Sequence, residues 1–160
     1  KKTPLDQKAL LSELIGGKID TIATDHAPHL LKEKEGDCLK AVSGMPMIQF
    51  SLLAMLQLTK TTNLTIENVV EKMCHNPAIL FNIKNRGFVQ KGYIADLVLI
   101  DPNKKTSVSE ENILSKCKWS PFEGKTFDFS VTHTLVNGKL VFENGKISNQ
   151  FLRKKIEFNR

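Results

Sequence analysis

Asp25, His26 and His29 are the residues whose types and spacing could do chemistry. They follow the apolar run Ile22-Ala23 and are held by a proline in the sequence Thr24-Asp25-His26-Ala27-Pro28-His29. A strand of a parallel sheet is buried on both faces, so packing alone explains Ile22 and Ala23 but not a carboxylate at the strand's end. An ionised carboxylate removed from water must be paired, hydrogen-bonded or bound to a metal ion. In a β/α barrel the C-terminal ends of the strands face the active site, which favours a catalytic Asp25; the competing reading is a structural aspartate that caps the following loop. His26 points away from Asp25 if strand geometry persists, and its simplest role is a hydrogen bond within the loop. His29, beyond Pro28, can fold back over the strand end and is better placed for a ligand contact.

These residues need elements to position them. Thr3-Pro4 reads as a helix N-cap followed by proline at the first helical position, with Leu5, Leu10, Leu11, Leu14 and Ile15 as an apolar face and Gly16-Gly17 as the stop. A strand over Ile19 to Thr24 follows, so helix, glycine and strand make half of a β/α repeat. Residues 30–44 carry Lys32, Glu33, Lys34, Glu35 and Gly36 and read as a long functional loop. From Pro46 to Leu58 the apolar residues are too dense for a surface helix and too extended for a strand, so a largely buried helix is expected. Thr65 caps a helix carrying Ile66, Val69, Val70 and Met73, and Asn76-Pro77 starts another through Phe81.

The period then changes. Ala95 to Asp101 reads as a strand ending at Pro102, and Phe127, Phe129, Val131, His133 and Leu135 alternate with polar residues, as in a strand with one buried face. Asn137-Gly138 and Asn144-Gly145 flank Leu140-Val141-Phe142 and predict hairpins, so the last third is an antiparallel meander.

Composition removes several classes of function. No apolar run approaches the roughly 18 to 20 residues of a membrane span, and no signal-peptide core is present, so a cytoplasmic protein with no membrane partner is expected. Cys38, Cys74 and Cys117 lie far apart without CxxC spacing and read as free thiols. The formal charge is +6, yet residues 1–35 hold six Lys/Arg against six Asp/Glu. Arg153, Lys154, Lys155 and Arg160 against Glu157 place half of the excess in the last ten residues. That is a solvated basic tail, and no aromatic residues are interleaved along a basic groove as nucleic acid would require. The chain begins at Lys1 rather than methionine, as expected of a fragment or a processed piece.

The run from Ile19 to His29 closely resembles the final barrel-strand motif of dihydroorotases, members of the metal-dependent amidohydrolase superfamily. Hydantoinases and allantoinases keep the Asp-His pair but commonly differ at the position of His29. The resemblance continues through Asp6-Gln7-Lys8-Ala9-Leu10, Asn76-Pro77-Ala78, Gly87 to Gly92, Ala95-Asp96-Leu97-Val98, Trp119-Ser120-Pro121-Phe122-Glu123-Gly124 and Thr134-Leu135-Val136-Asn137-Gly138, and so covers essentially the whole chain.

The resemblance implies an α/β fold: the C-terminal part of a TIM-type (β/α) barrel over residues 1–85, followed by a small antiparallel β-rich domain over 86–160. It implies reversible cyclisation of N-carbamoyl-L-aspartate to L-dihydroorotate in pyrimidine synthesis. A zinc ion would supply a hydroxide nucleophile and polarise the carbonyl. Asp25 would ligate the metal and shuttle a proton between water and ring nitrogen, while His29 and the backbone N–H groups around Ser43 and Gly44 would bind the substrate's carboxylate. A homodimer, with association to aspartate transcarbamoylase, belongs to the same expectation.

Departures accompany it. The loop Ser43-Gly44-Met45-Pro46-Met47-Ile48-Gln49 lacks the additional glycine and the acidic residue that many relatives carry. His75 stands where a small residue is common and is expected at a helix junction. His133 is expected to be a satisfied core histidine rather than a metal ligand. The family's His-x-His pair, bridging carboxylate and remaining metal histidines have no counterpart here. A barrel needs roughly 250 residues, and Asp25 is one ligand where zinc uses roughly three or four; these residues alone are therefore expected to be inactive and free of catalytic zinc. The alternatives are a non-catalytic amidohydrolase-like scaffold, a hydantoinase- or allantoinase-type cyclic amidase, and an independent β-rich binding module in which Asp25 and His29 are incidental.

Overall fold

The computed structural model describes residues 3–37, 39–148 and 154–159. Cys38 and the basic residues Arg153 and Arg160 lie outside the described residues. Packing groups the chain into two compact units that alternate in sequence: one runs up to Ile22, from Leu58 to Asp101 and from Val131 onward, the other from Ala23 to Gln57 and from Pro102 to Ser130. The elements are mixed α/β, and both sheets are antiparallel where their registers are defined.

In the first unit, helix α1 spans Pro4–Ile15. Thr3 and Asp6 form a reciprocal capping box at its start, and Gly16 closes it. The expected apolar face is covered only towards its end: Leu14 is buried and Leu11 and Ile15 are half-buried, whereas Leu5 is 79% and Leu10 43% exposed. The segment expected as a strand from Ile19 to Thr24 joins no ladder. A strand exists only through a paired neighbour, and here the Ile22 N–H donates instead to the Lys72 carbonyl at 3.0 Å, while the Asp20 carbonyl accepts from Asn76 Nδ2 at 2.8 Å.

The two helices expected from Thr65 onward are one continuous helical run: α3 over Ile66–Val70, a π turn over Glu71–His75, and α4 over Asn76–Leu80. Proline has no N–H and clashes with the carbonyl four residues earlier, so widening the helix just before Pro77 lets the run continue. Asn68 and Thr65 cap its start. The Glu67 carboxyl in the first turn is held below the usual carboxylate range, first by a backbone hydrogen bond and then by Thr65. His75 stands at the junction, as expected, with its ring stacked on Phe88 at 4.3 Å.

The sheet of this unit has the order β1-β4-β5-β6, with β1 at Leu97–Asp101, β4 at Ser130–Val136, β5 at Lys139–Glu143 and β6 at Lys146–Ile147. Both Asn-Gly pairs form the predicted hairpin turns, with φ of 51° and 76° at Asn137-Gly138 and 45° and 89° at Asn144-Gly145. Arg86 ties the first turn down by donating to Asp96 and, at 2.7 Å, to Asn137 Oδ1; Asp96 in turn accepts the Asn137 N–H at 2.7 Å. His133 is satisfied but not core: it is half-buried, its Nδ1 lies 3.0 Å from Thr132 Oγ1, and Nε2 faces Glu143 across the ladder at 3.4 Å.

In the second unit, a 3-10 turn over Ile48–Phe50 leads into helix α2, Ser51–Leu58. Phe50, Leu53 and Leu56 are buried, as expected for this dense run, although Ile48 is 62% exposed. Val108, Ile113, Cys117, Phe127 and Phe129 add to this unit's core, with the Phe127 ring in contact with those of Phe50 and Phe122. The alternating run from Phe127 to Leu135 is two strands rather than one. β3, Thr126–Phe127, is paired with β2 at Thr106–Ser107. Gln57 of α2 then takes the place of a ladder partner at Asp128, accepting its N–H at 2.8 Å and donating to its carboxylate at 3.0 Å. Among the described residues no helix is long and apolar enough to cross a membrane.

Candidate active site

The site is built in the second unit from two stretches of main chain joined by a single parallel bridge. His26 pairs with Met45, and the Ala27 N–H donates to the Met45 carbonyl at 3.1 Å. The histidine completes the join: its Nδ1 accepts the N–H groups of Met47 at 3.1 Å and Ile48 at 3.2 Å. A ring nitrogen that accepts cannot carry the proton, so the neutral His26 ring is protonated on Nε2. The sequence reading gave His26 a hydrogen bond within the loop; the bond is there, but it reaches across to the second stretch of main chain.

Asp25 stands immediately before this bridge with φ of 44°. The left-handed region costs most side chains of order 1–2 kcal/mol, and Asp tolerates it better than most. The carboxylate is exposed and has no hydrogen-bond or ion-pair partner among the described residues, so the requirement for a partner that burial would impose does not arise here. His29 follows a tight turn centred on Pro28, in which its N–H donates to the Ala27 carbonyl at 2.9 Å. Its ring is half-buried, with Nδ1 3.8 Å from the Glu33 carboxylate, beyond direct hydrogen-bond reach. Glu33 itself accepts the Leu30 N–H at 2.6 Å.

Ser43 is exposed, and Gly44 has φ of 97°. A Cβ on Gly44 would lie 2.5 Å from that of Ala27, so only glycine lets this loop approach the Asp25–His29 turn so closely. The N–H groups of Ser43 and Gly44 have no acceptor among the described residues. Sequence reasoning missed what holds these parts in place. The Lys34 ammonium donates to the carbonyls of Val42, at 2.6 Å, and Gly44, and sits 5.9 Å from the centre of the Trp119 ring. Trp119 Nε1 donates to the His29 carbonyl at 2.8 Å. The available signal was the chain's single tryptophan, because a packed indole needs an acceptor for its N–H. Lys34 lay hidden in a run of charges that reads as solvated.

A cleft of about 340 Å³ lies on the same unit, lined by His26, Pro46, Gln49, Ile113, Leu114 and Trp119 among others; Asp25, His29, Ser43 and Gly44 are not part of its wall. Among the described residues no three His, Cys, Asp or Glu side chains gather as a metal site would require. Zinc needs roughly three or four protein ligands. Asp25, unpartnered and exposed, can offer one, so these residues by themselves do not fit a zinc site.

The model of the amidohydrolase family matches residues 6–141, and the chain belongs to that family. Within it, the chain is 41% identical over 140 residues to the dihydroorotase of Clostridium acetobutylicum, covering 87% of this chain and 33% of that protein. It is 43% identical over 141 residues to that of Acetivibrio thermocellus, covering 88% and 33%. Among solved structures it matches the D-hydantoinase (dihydropyrimidinase) of Thermus sp. with a TM-score of 0.87 at 25% identity, over 93% of this chain and 34% of that one. The L-hydantoinase (dihydropyrimidinase) of Arthrobacter aurescens gives 0.85 at 33% identity, over 91% and 34%. The chain thus spans about a third of the length of the relatives it matches.

Proposed function

We propose that this chain is the C-terminal portion of a dihydroorotase, with residues 1–85 closing a (β/α) barrel and 86–160 forming most of its β-rich domain. The reaction is the reversible closure of N-carbamoyl-L-aspartate to L-dihydroorotate, a step of pyrimidine synthesis in the cytoplasm. The observation that carries the reading is the Asp25–His29 turn itself: a carboxylate in a left-handed conformation, without a partner among the described residues, next to a glycine loop with open N–H groups.

In this reading Asp25 carries the proton between the attacking water and the ring nitrogen, the ordinary work of a positioned carboxylate. His29 and the N–H groups of Ser43 and Gly44 bind the carboxylate attached to the ring. Zinc, expected for the intact enzyme, would take Asp25 as one ligand and find the others outside these residues. The assembly is expected to be a homodimer, with association to aspartate transcarbamoylase as a further proposal.

A hydantoinase-type reading is supported by the two hydantoinase structures, and His29 separates the two substrates. A histidine aimed at a carboxylate favours dihydroorotate, because hydantoin and dihydrouracil have none. The test is ring opening by the intact protein: turnover of L-dihydroorotate with little on hydantoin or dihydrouracil is expected, and the reverse preference would replace this reading with the second. The 160-residue chain alone is expected to hold no stoichiometric zinc and to give no turnover. Stoichiometric zinc together with turnover, in tag-free material, would contradict the placement of the other ligands elsewhere.

A further inference from the structure

We infer that Lys34 and Trp119 are positioning residues that set the carboxylate-binding loop, with Lys34 aiming the Ser43 N–H at the substrate and Trp119 holding both Lys34 and the His29 main chain. The inference rests on the carboxylate-binding role proposed for His29, Ser43 and Gly44. It begins with peptide geometry. In a trans peptide the C=O and N–H point in opposite directions. The Val42 carbonyl faces the Lys34 ammonium at 2.6 Å, so the Ser43 N–H of the same peptide unit faces away from Lys34, where it finds no acceptor among the described residues.

The second bond from Lys34, to the Gly44 carbonyl, holds the other end of the two-residue loop. Together the two bonds hold Ser43 and Gly44 between fixed carbonyls, and the positive charge polarises the Val42–Ser43 peptide in the direction that strengthens the Ser43 N–H as a donor. The chain from Glu33 to Val42 is closed separately by the Val42 N–H, which donates to the Glu33 carbonyl at 3.1 Å. This fixes the height of the loop over the turn that carries Lys34.

Trp119 adds two contacts. Its ring lies 5.9 Å from the Lys34 nitrogen, within range of a cation–π attraction, and its indole N–H holds the His29 carbonyl at 2.8 Å. His29 and Gly44 are fifteen residues apart in sequence, counting from His29 to Gly44, and Lys34 with Trp119 forms the polar link between them. Glu33 places the opposite charge beside the His29 ring.

The test uses the intact protein, unsubstituted and in the forms Lys34→Met, Lys34→Arg and Trp119→Phe. Two readouts are taken: steady-state constants, and titration with N-carbamoyl-L-aspartate followed by the indole N–H resonance of Trp119. Losing a charge-assisted hydrogen bond costs about 1.5–3 kcal/mol, or roughly ten- to a hundredfold. The Lys34→Met form should show that rise in KM and in the dissociation constant, with kcat within about twofold, and Lys34→Arg should recover most of it. Trp119→Phe keeps a ring beneath Lys34 but loses the bond to His29, and should raise KM by a smaller factor; it decides the matter if Lys34→Met does not fold. Turnover with KM unchanged in both Lys34→Met and Trp119→Phe overturns the inference and leaves the dihydroorotase reading standing. Lys34-dependent binding without turnover overturns the reaction but not the inference, and absence of both turnover and binding overturns both.

Discussion

The hairpins at 130–147 and the turn at 25–29 both depend on left-handed residues, yet they put them to different use. At Asn137-Gly138 and Asn144-Gly145 the positive φ values reverse the chain between strands that pair on either side, and Arg86 and Asp96 tie down the first of these turns. At Asp25 the same backbone conformation is supported by one parallel bridge, and the side chain it turns outward has no partner among the described residues. Where the flanking structure is complete, a left-handed residue serves folding. Where it is sparse, the residue presents a side chain, as strained residues at functional sites commonly do.

That contrast can be broken at several places, beginning with the core on which the site rests. Phe127 is 4% exposed and packs against the rings of Phe50 and Phe122. Phe127→Ala should destabilise the protein by about 3–5 kcal/mol in denaturant unfolding, and a loss below about 1 kcal/mol would mean that this unit does not depend on the cluster. Gly44→Ala combines a positive φ with a Cβ 2.5 Å from that of Ala27 and should cost about 1–3 kcal/mol, with weakened substrate binding beyond that loss. His26→Ala leaves the N–H groups of Met47 and Ile48 without their acceptor and should cost about 1–3 kcal/mol; hydrogen exchange at those two amides should rise while exchange in the hairpin stays unchanged. The smallest effect is expected on the hairpin side. Asn144→Ala places a less tolerant residue at φ of 45° and should cost about 1 kcal/mol without touching substrate binding.

The same contrast explains what could be read from the sequence. The helix caps at Thr3 and Thr65 and the two Asn-Gly turns are local devices, fixed within a few residues, and each is found where the sequence places it. The strand expected over Ile19 to Thr24 depended on neighbours that a sequence pattern cannot supply, and the apolar face of α1 on a surface to cover it; apart from Leu14 and its half-buried neighbours that face stays open. The break at Asp128 came from Gln57, seventy-one positions away, and a period of two cannot anticipate a side chain that replaces a ladder partner.

Around Asp25, His29, Ser43 and Gly44, what was legible is local geometry: proline, glycine and the Asp-His pair mark a turn and a close approach. The close approach of Gly44 to Ala27 is observed. Lys34 and Trp119 were not legible in those roles, since one sits among charges and the other contacts residues ninety positions away. Burial gave a misleading reason for suspecting Asp25: the sequence suggested a desolvated carboxylate, whereas the structure has an exposed one that stands out by its backbone conformation and its lack of a partner.

The most direct measurement is the turnover of L-dihydroorotate by the intact protein carrying Asp25→Asn, with its unfolding curve recorded beside it. Asparagine tolerates the left-handed conformation and replaces a carboxylate that holds nothing among the described residues, so stability should stay within about 0.5 kcal/mol. The proton carrier is lost, so kcat should fall by about a hundredfold to ten-thousandfold. An unchanged kcat at unchanged stability would contradict the account, leaving Asp25 a loop residue and the turn around it a structural feature alone.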